Sequence, residues 1–220
     1  MKNLNQLLFD FKYKENFKDE DFYVSDSNYY AFTLVNSWPK WEKNFLNICG
    51  EKYSGKSHLA NIFLKKFKGI KINALSIKNK NLQELKIYEN IILDNLDLNI
   101  DENLIYSLFN IIDQDNKYLI INSEIPINEI NFKLNDLRSR AKNCLIAKID
   151  KPDDELIFAL ILKNFSDRQI VIDKKLIDFI IKRIDRSYGK IFEFIYKIDE
   201  LSLKKKKPID FKSIKDVLKV

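Results

Sequence analysis

Hydrophobic positions along the chain fall into two alternating periods. Short apolar runs at "FLNIC" (45–49), "GIKINA" (69–74), "NIILDNL" (90–96), "KYLIINS" (117–123) and "CLIAKI" (144–149) read as strands. Between them the spacing turns helical. "GKSHLANIFLKKF" puts Leu59, Ile62, Phe63 and Phe67 on one face, and "ENLIYSLFNIIDQ" does the same with Leu104, Ile105, Leu108 and Ile112. Strands alternating with helices predict an α/β fold, a parallel sheet covered on both faces. After Pro152 the pattern changes to helix alone: "DDELIFALILKNFS", "DKKLIDFIIKRIDRS", "GKIFEFIYKIDELSLKK" and "DFKSIKDVLK" follow one another, with Asp153, Asp173 and Asp210 where N-caps belong. The expected organisation is an α/β domain over 15–150 and a small helical domain over 151–220, preceded by a flexible peptide at 1–14.

Composition narrows the class. With 220 residues, 45% of them hydrophobic, the chain can bury a core without staples. No stretch is apolar enough to span a membrane and no signal peptide opens the chain, so a cytoplasmic protein is expected, associated with nucleoid or replisome in the reading below. Cys49 and Cys144 each sit in or beside an apolar run without metal-ligand spacing, and read as reduced core thiols. A single histidine, His58, excludes mechanisms that need two imidazoles. The net charge of +6 permits polyanionic or acidic partners, but 32 acidic residues are interspersed and only Lys204 to Lys207 form a block.

The chemistry concentrates at "GEKYSGKS" (50–57), which fits G-x-x-x-x-G-K-[ST] between a predicted strand and a predicted helix. Glycine is scarce here, four in 220, yet Gly50 and Gly55 fall on the two required positions. Such a loop, here with Glu51, Lys52, Tyr53 and Ser54 between the glycines, wraps backbone N–H groups round a β-phosphate. Lys56 then bridges β and γ oxygens, Ser57 ligates Mg²⁺, and His58 follows on the helix. ATP or ADP with Mg²⁺ is the expected ligand. Further on, "IILDNLD" ends an apolar strand in Asp94, placed to hold the magnesium shell. Asn95 follows where many ATPases carry a second acid, and an amide cannot act as a base. Asp97 compensates only if the strand has already turned.

In this order the features resemble the AAA+ ATPases of the DnaA family, and specifically the short Hda-type relatives without the initiator's DNA-binding domain. The resemblance covers nearly the whole chain. It implies that "DFYVSDSNYYAF" (21–32) lays Phe22, Val24 and Asn28 against the adenine, a plain strand being the alternative. "LIINSEIP" (119–126) is similar to the sensor 1 strand and turn, with Asn122, Ser123 and Glu124 near the γ-phosphate; Ile125 departs from a frequent Arg. "NDLRSRAKN" (135–143) is similar to box VII. There Arg140 matches the arginine finger that reaches a neighbour's nucleotide, and Arg138 is a second cation. The helical domain corresponds to the AAA+ lid. The sensor 2 arginine of relatives falls on Gly189 or Lys190, with Arg186 just upstream, so weak autonomous hydrolysis and a stable ADP form are implied.

The N-terminal "QLLFDF" places Leu7, Leu8, Phe9 and Phe11 between polar shoulders. By itself it reads as a strand or staple on the chain's own fold. Beside the resemblance it is similar to the clamp-binding peptide of Hda-type proteins, with Gln6 at the pocket mouth, Leu7 at the rim, and Phe9 and Phe11 in the cleft of the DNA sliding clamp, the polymerase III beta subunit. The implied function is a regulator of replication initiation that sits on the clamp, stimulates ATP hydrolysis by the DnaA initiator and thereby inactivates it. Any DNA contact is expected through the clamp, or weakly through Lys204 to Lys207, and the chain pairs with a second copy in one version. A helix-turn-helix module after the lid, which ends near Val220, is not expected. Alternatives are a stand-alone AAA+ helicase loader or remodeller and, less favoured by "DLRSR" and the helical lid, a P-loop small-molecule kinase.

Overall fold

A computed structural model describes residues 22–220 except 98, 206 and 220. Gln6, Leu7, Phe9 and Phe11 therefore lie outside the described residues. In chain order the elements are α1 (Tyr29–Asn36), β1 (Phe45–Cys49), α2 (Lys56–Lys66), β2 (Gly69–Asn73), α3 (Asn79–Glu84), β3 (Asn90–Leu96), α4 (Glu102–Gln114), β4 (Tyr118–Ser123), α5 (Asn135–Lys142) and β5 (Leu145–Lys148). The helices α6 (Asp154–Asp167), α7 (Lys174–Ile181), α8 (Tyr188–Lys205) and α9 (Phe211–Leu218) follow.

The five strands form one parallel sheet in the order β2-β3-β4-β1-β5. The apolar runs are continuous because both faces of the central strands are covered. Phe45, Ile91, Leu93, Leu119 and Ile121 pack with α4 and α5 on one face, while Leu46, Ile48, Ile92 and Ile120 pack with α1 and α2 on the other. β1 lies between β4 and β5, so chain order reverses there and a crevice opens at the carboxyl ends of the strands.

Helices α6 to α9 enclose a core of their own around Ile157, Ile161, Phe165, Ile180 and Ile198. The three expected caps are made: Asp153 accepts from the Leu156 N–H, Asp173 from the Lys175 N–H and Asp210 from the Ser213 N–H, each at 2.8 Å. Asp153 also accepts from the Ser27 N–H at 3.2 Å, tying the segment before α1 to the bundle. Tyr188, the first residue of α8, is buried in the sheet's second core, and its hydroxyl donates to the Asp150 carbonyl at 3.1 Å.

Two stretches differ from the sequence reading. The pattern over 173–187 runs as one helix on paper, but α7 ends at Ile181 and the chain turns before α8. The end of the segment matched to the adenine side, residues 29–32, runs into α1 (29–36), which forms because Ala31 and Val35 bury four residues apart on one face.

Candidate functional site

β1 leads into the glycine loop and the loop into α2. A Cβ on Gly50 would lie 2.8 Å from the Ile149 carbonyl oxygen and 3.0 Å from Ser54 Oγ, so only glycine lets the loop pass so close to the chain beyond β5. Gly55, with φ of +96°, turns the chain into α2 in the left-handed region. Lys56 Nζ lies inside the loop, donating to the carbonyls of Gly50 at 2.6 Å and Glu51 at 2.8 Å. Burial pushes its pKa down, and the charges of Glu124 and Asp94 oppose that shift.

Asp94 is the hub of the strand ends. Ser57 Oγ lies 3.0 Å from both of its carboxylate oxygens, Asn122 Nδ2 donates to Oδ1 at 2.9 Å, and Lys71 Nζ stands 3.4 Å from Oδ2. The first turn of α2, β3, β4 and β2 therefore each contribute one side chain. Asn122 Oδ1 and Ser54 Oγ are buried without a hydrogen-bond partner among the described residues, which leaves acceptor and donor capacity at the strand ends and the loop for a ligand or its water. Among the described residues, no group of three His, Cys, Asp or Glu side chains could hold a metal ion. A divalent cation here would have to draw most of its oxygens from phosphate and water, as magnesium does.

Beside the loop, a cavity of about 270 Å³ is lined by Phe22, Tyr23, Asn28, Tyr53, Ser54, Gly55 and His58 from the α/β domain, and by Leu156, Ala159, Leu160, Lys163 and Tyr188 from the helical one. Phe22 stacks on Phe32 at 5.8 Å and meets His58 edge-on at 5.3 Å. Asn28 shapes its own turn: its Oδ1 accepts from the Ser25 N–H at 3.0 Å and its Nδ2 donates to the Tyr23 carbonyl at 2.9 Å. Val24, named with these two from the sequence, does not line the cavity.

After Asp94 the strand bulges. Register shifts between Leu93 and Leu96, and Asn95 is exposed with φ of +59°. Asparagine enters this region at little cost, whereas a longer acidic side chain would be strained. Asp97 lies beyond the bulge and lines a separate hollow of about 40 Å³ with Glu102, Ile130 and Phe132. It does not join Asp94. Ser123 accepts from Asn47 at 2.8 Å and donates to the Ile125 carbonyl at 2.6 Å, and Glu124 is exposed.

The two arginines of α5 are engaged within the chain. Arg138 donates through Nε to the Phe132 carbonyl at 3.1 Å and again through Nη2. Arg140 pairs with Asp113, donates to Asn110 Oδ1 at 2.8 Å, and holds its guanidinium 5.4 Å from the centre of the Tyr106 ring. All three partners lie on α4. In the helical domain, Lys190 pairs with Glu193 at 2.9 Å and Arg186 with Asp154 at 2.7 Å, both exposed. Lys52 stands over the Tyr53 ring at 5.2 Å. Glu51 turns away from the loop interior and accepts from Ser187, Tyr188 and Gly189 at the start of α8.

Sequence reasoning missed Lys71, Lys163 and Tyr188. The first stands on a neighbouring strand, and the other two reach the site only because the helical domain folds back on the loop.

Fold and site together define a class by architecture: an α/β domain with a glycine loop and an AAA+-like fold, followed by a helical bundle. No protein-family model matches the chain. Among curated proteins it is similar to an uncharacterised protein of Haemophilus influenzae, 24% identical over 212 residues that cover 90% of this chain and 92% of that one. It is also similar to the chromosomal replication initiator protein DnaA of Helicobacter hepaticus, 25% identical over 197 residues and 78% of this chain. The match takes in 42% of that initiator, so the chain spans less than half its length.

Of solved structures, domain III of the Thermotoga maritima replication initiation protein DnaA superimposes with a TM-score of 0.74 at 19% identity, over 94% of this chain and 97% of that one. A replication initiator DnaA bound to AMPPCP and single-stranded DNA superimposes with a TM-score of 0.65 at 18% identity, over 86% of this chain and 68% of that one. The fold is like that of DnaA domain III, and the sequence is similar to DnaA at low identity. No helix among the described residues is long and apolar enough to cross a membrane.

Proposed function

We propose that the chain is an Hda-type regulator of chromosomal replication initiation, a nucleotide-holding AAA+ protein that acts on a DnaA-type initiator. The observation that carries this reading is the join of Ser57, Asn122 and Lys71 on Asp94 at the mouth of a glycine loop, with Asn95 turned outward where an acid would polarise water. Such a site is furnished for holding ADP or ATP more than for hydrolysing it. In this reading the loop N–H groups and Lys56 hold the phosphates, and Ser57 and Asp94 hold Mg²⁺, which neutralises phosphate charge when bound. Phe22 and His58 border the base, in the cavity that Asn28 helps to shape. The similarity to DnaA, one structure of which is bound to AMPPCP, supports the same role.

The chemistry takes place in the partner. Arg140 leaves Asp113 and Asn110 and enters the initiator's nucleotide site, with Arg138 beside it, while Gln6, Leu7, Phe9 and Phe11 anchor the chain on the sliding clamp. The test is initiator ATP hydrolysis in the presence of DNA-loaded clamp. Arg140→Ala is expected to abolish stimulation and keep clamp binding, and joint alanine replacement of Gln6, Phe9 and Phe11 is expected to abolish clamp binding by calorimetry. Stimulation that survives Arg140→Ala would contradict the finger assignment, and clamp binding that survives the triple change would contradict the anchor.

A further inference from the structure

Glu51 lies in the middle of the glycine loop's sequence but faces the helical domain. Its Oε1 accepts from Ser187 Oγ and, at 3.3 Å, from the Gly189 N–H; its Oε2 accepts from the Tyr188 N–H at 3.2 Å. These donors include the first backbone N–H groups of α8, which no intrahelical carbonyl can satisfy, and the carboxylate charge suits the positive end of that helix. A second loop residue turns the same way. Tyr53 holds φ of +69°, a conformation that is uncommon for an aromatic residue, with its ring 5.4 Å from Phe192 on α8. Tyr188, flanked by these two contacts, is buried against the sheet.

The helical domain meanwhile brings no arginine to position 189, and Lys190 and Arg186 pair with Glu193 and Asp154. A Cβ at Gly189 would meet Glu51 Oε1 at 3.6 Å and Ser187 Oγ at 3.7 Å, ordinary contacts, so sterics alone do not demand glycine there.

We infer that Glu51 is the positioning residue that fastens the helical domain onto the nucleotide loop, and that it does so whether or not a γ-phosphate is present. The inference deepens the nucleotide-holding reading and rests on it for its second consequence only. First, the α8 N-terminus is held closed in the nucleotide-free chain. Second, closure contributes equally to ADP and ATP, because the link runs from carboxylate to helix and not from a lid cation to phosphate.

Hydrogen exchange on the nucleotide-free full chain, beside Glu51→Ala and Glu51→Gln, tests the first. The Tyr188 and Gly189 amides are expected to be protected in the intact chain and to exchange about tenfold faster or more in Glu51→Ala, as loss of a charge-assisted bond requires, with Glu51→Gln in between. ADP and ATP titrations of the same proteins test the second: both affinities fall in Glu51→Ala by the same factor, leaving their ratio unchanged. Exchange that is unaltered in Glu51→Ala, or protection that arises only on adding nucleotide, overturns the latch. A loss confined to ATP overturns its independence of the γ-phosphate. A chain that binds neither nucleotide defeats the nucleotide reading while the exchange result still decides the latch.

Discussion

Asp94 shows how one buried carboxylate acquires its surroundings. At 7% exposure its charge is tolerable only because Ser57 and Asn122 donate to it and Lys71 stands near. That the glycine loop, Lys56, Ser57 and Asp94 come together was legible from spacing, since the G-x-x-x-x-G-K-[ST] pattern sets residue types at fixed offsets. Lys71 was not, because its approach depends on which strand lies beside β3. The thiols follow the opposite rule, being buried with no cation strong enough to stabilise a thiolate. Burial pushes Cys49 up to about 11 and Cys144 up to about 12, with Lys148 opposing the first shift and Asp113 adding to the second. At pH 8 both should stay protonated and resist a thiol-specific reagent in the folded chain, then both react on denaturation. Rapid labelling of either thiol in the native state would contradict their placement.

Among the elements, β1 and β4 are joined by more than their ladder. Asn47, fully buried in β1, donates to the Ile121 carbonyl at 2.9 Å and to Ser123 Oγ at 2.8 Å, and its Oδ1 accepts from the Ile127 N–H at 2.8 Å. It thereby fixes the turn that leads from Asn122 towards α5. Asn47→Leu would leave the Ile127 N–H without its acceptor and take a donor from the Ile121 carbonyl and from Ser123 Oγ, which keeps only its bond to Ile125, and should cost roughly 2–4 kcal/mol in urea unfolding, from the desolvation penalty of buried groups that lose partners. A loss under about 0.5 kcal/mol, the ordinary size of a surface change, would contradict that role.

The strands and the long helices were legible because their periodicity is set by burial on known faces. Three short helices before residue 150, α1, α3 and α5, were not. α3 and α5 carry few apolar residues to betray a period, and α1 hides in a segment whose chemistry drew attention to its ends. The early end of α7 leaves Ser187 and Tyr188 to meet Glu51, a tertiary demand that no local pattern over 173–187 announces.

At the scale of the molecule, two bodies of core are stitched at one place. Asp153 holds the Ser27 amide, Tyr188 sits in the sheet's core, Glu51 caps α8, and the cavity beside the glycine loop draws its walls from both sides. That helices alone follow Pro152 was legible from the change of period; which of their residues wall the cavity was not, since Leu156, Leu160 and Lys163 read only as a helix face. The central claim is that this junction is a nucleotide site. It is tested most directly by calorimetric titration of the full chain with MgADP and MgATP, beside Lys56→Ala. The account predicts one saturable site and an affinity about 10 to 100-fold weaker in Lys56→Ala, the worth of a charge-assisted contact to phosphate. No binding by the intact chain, or equal binding by both proteins, would contradict it.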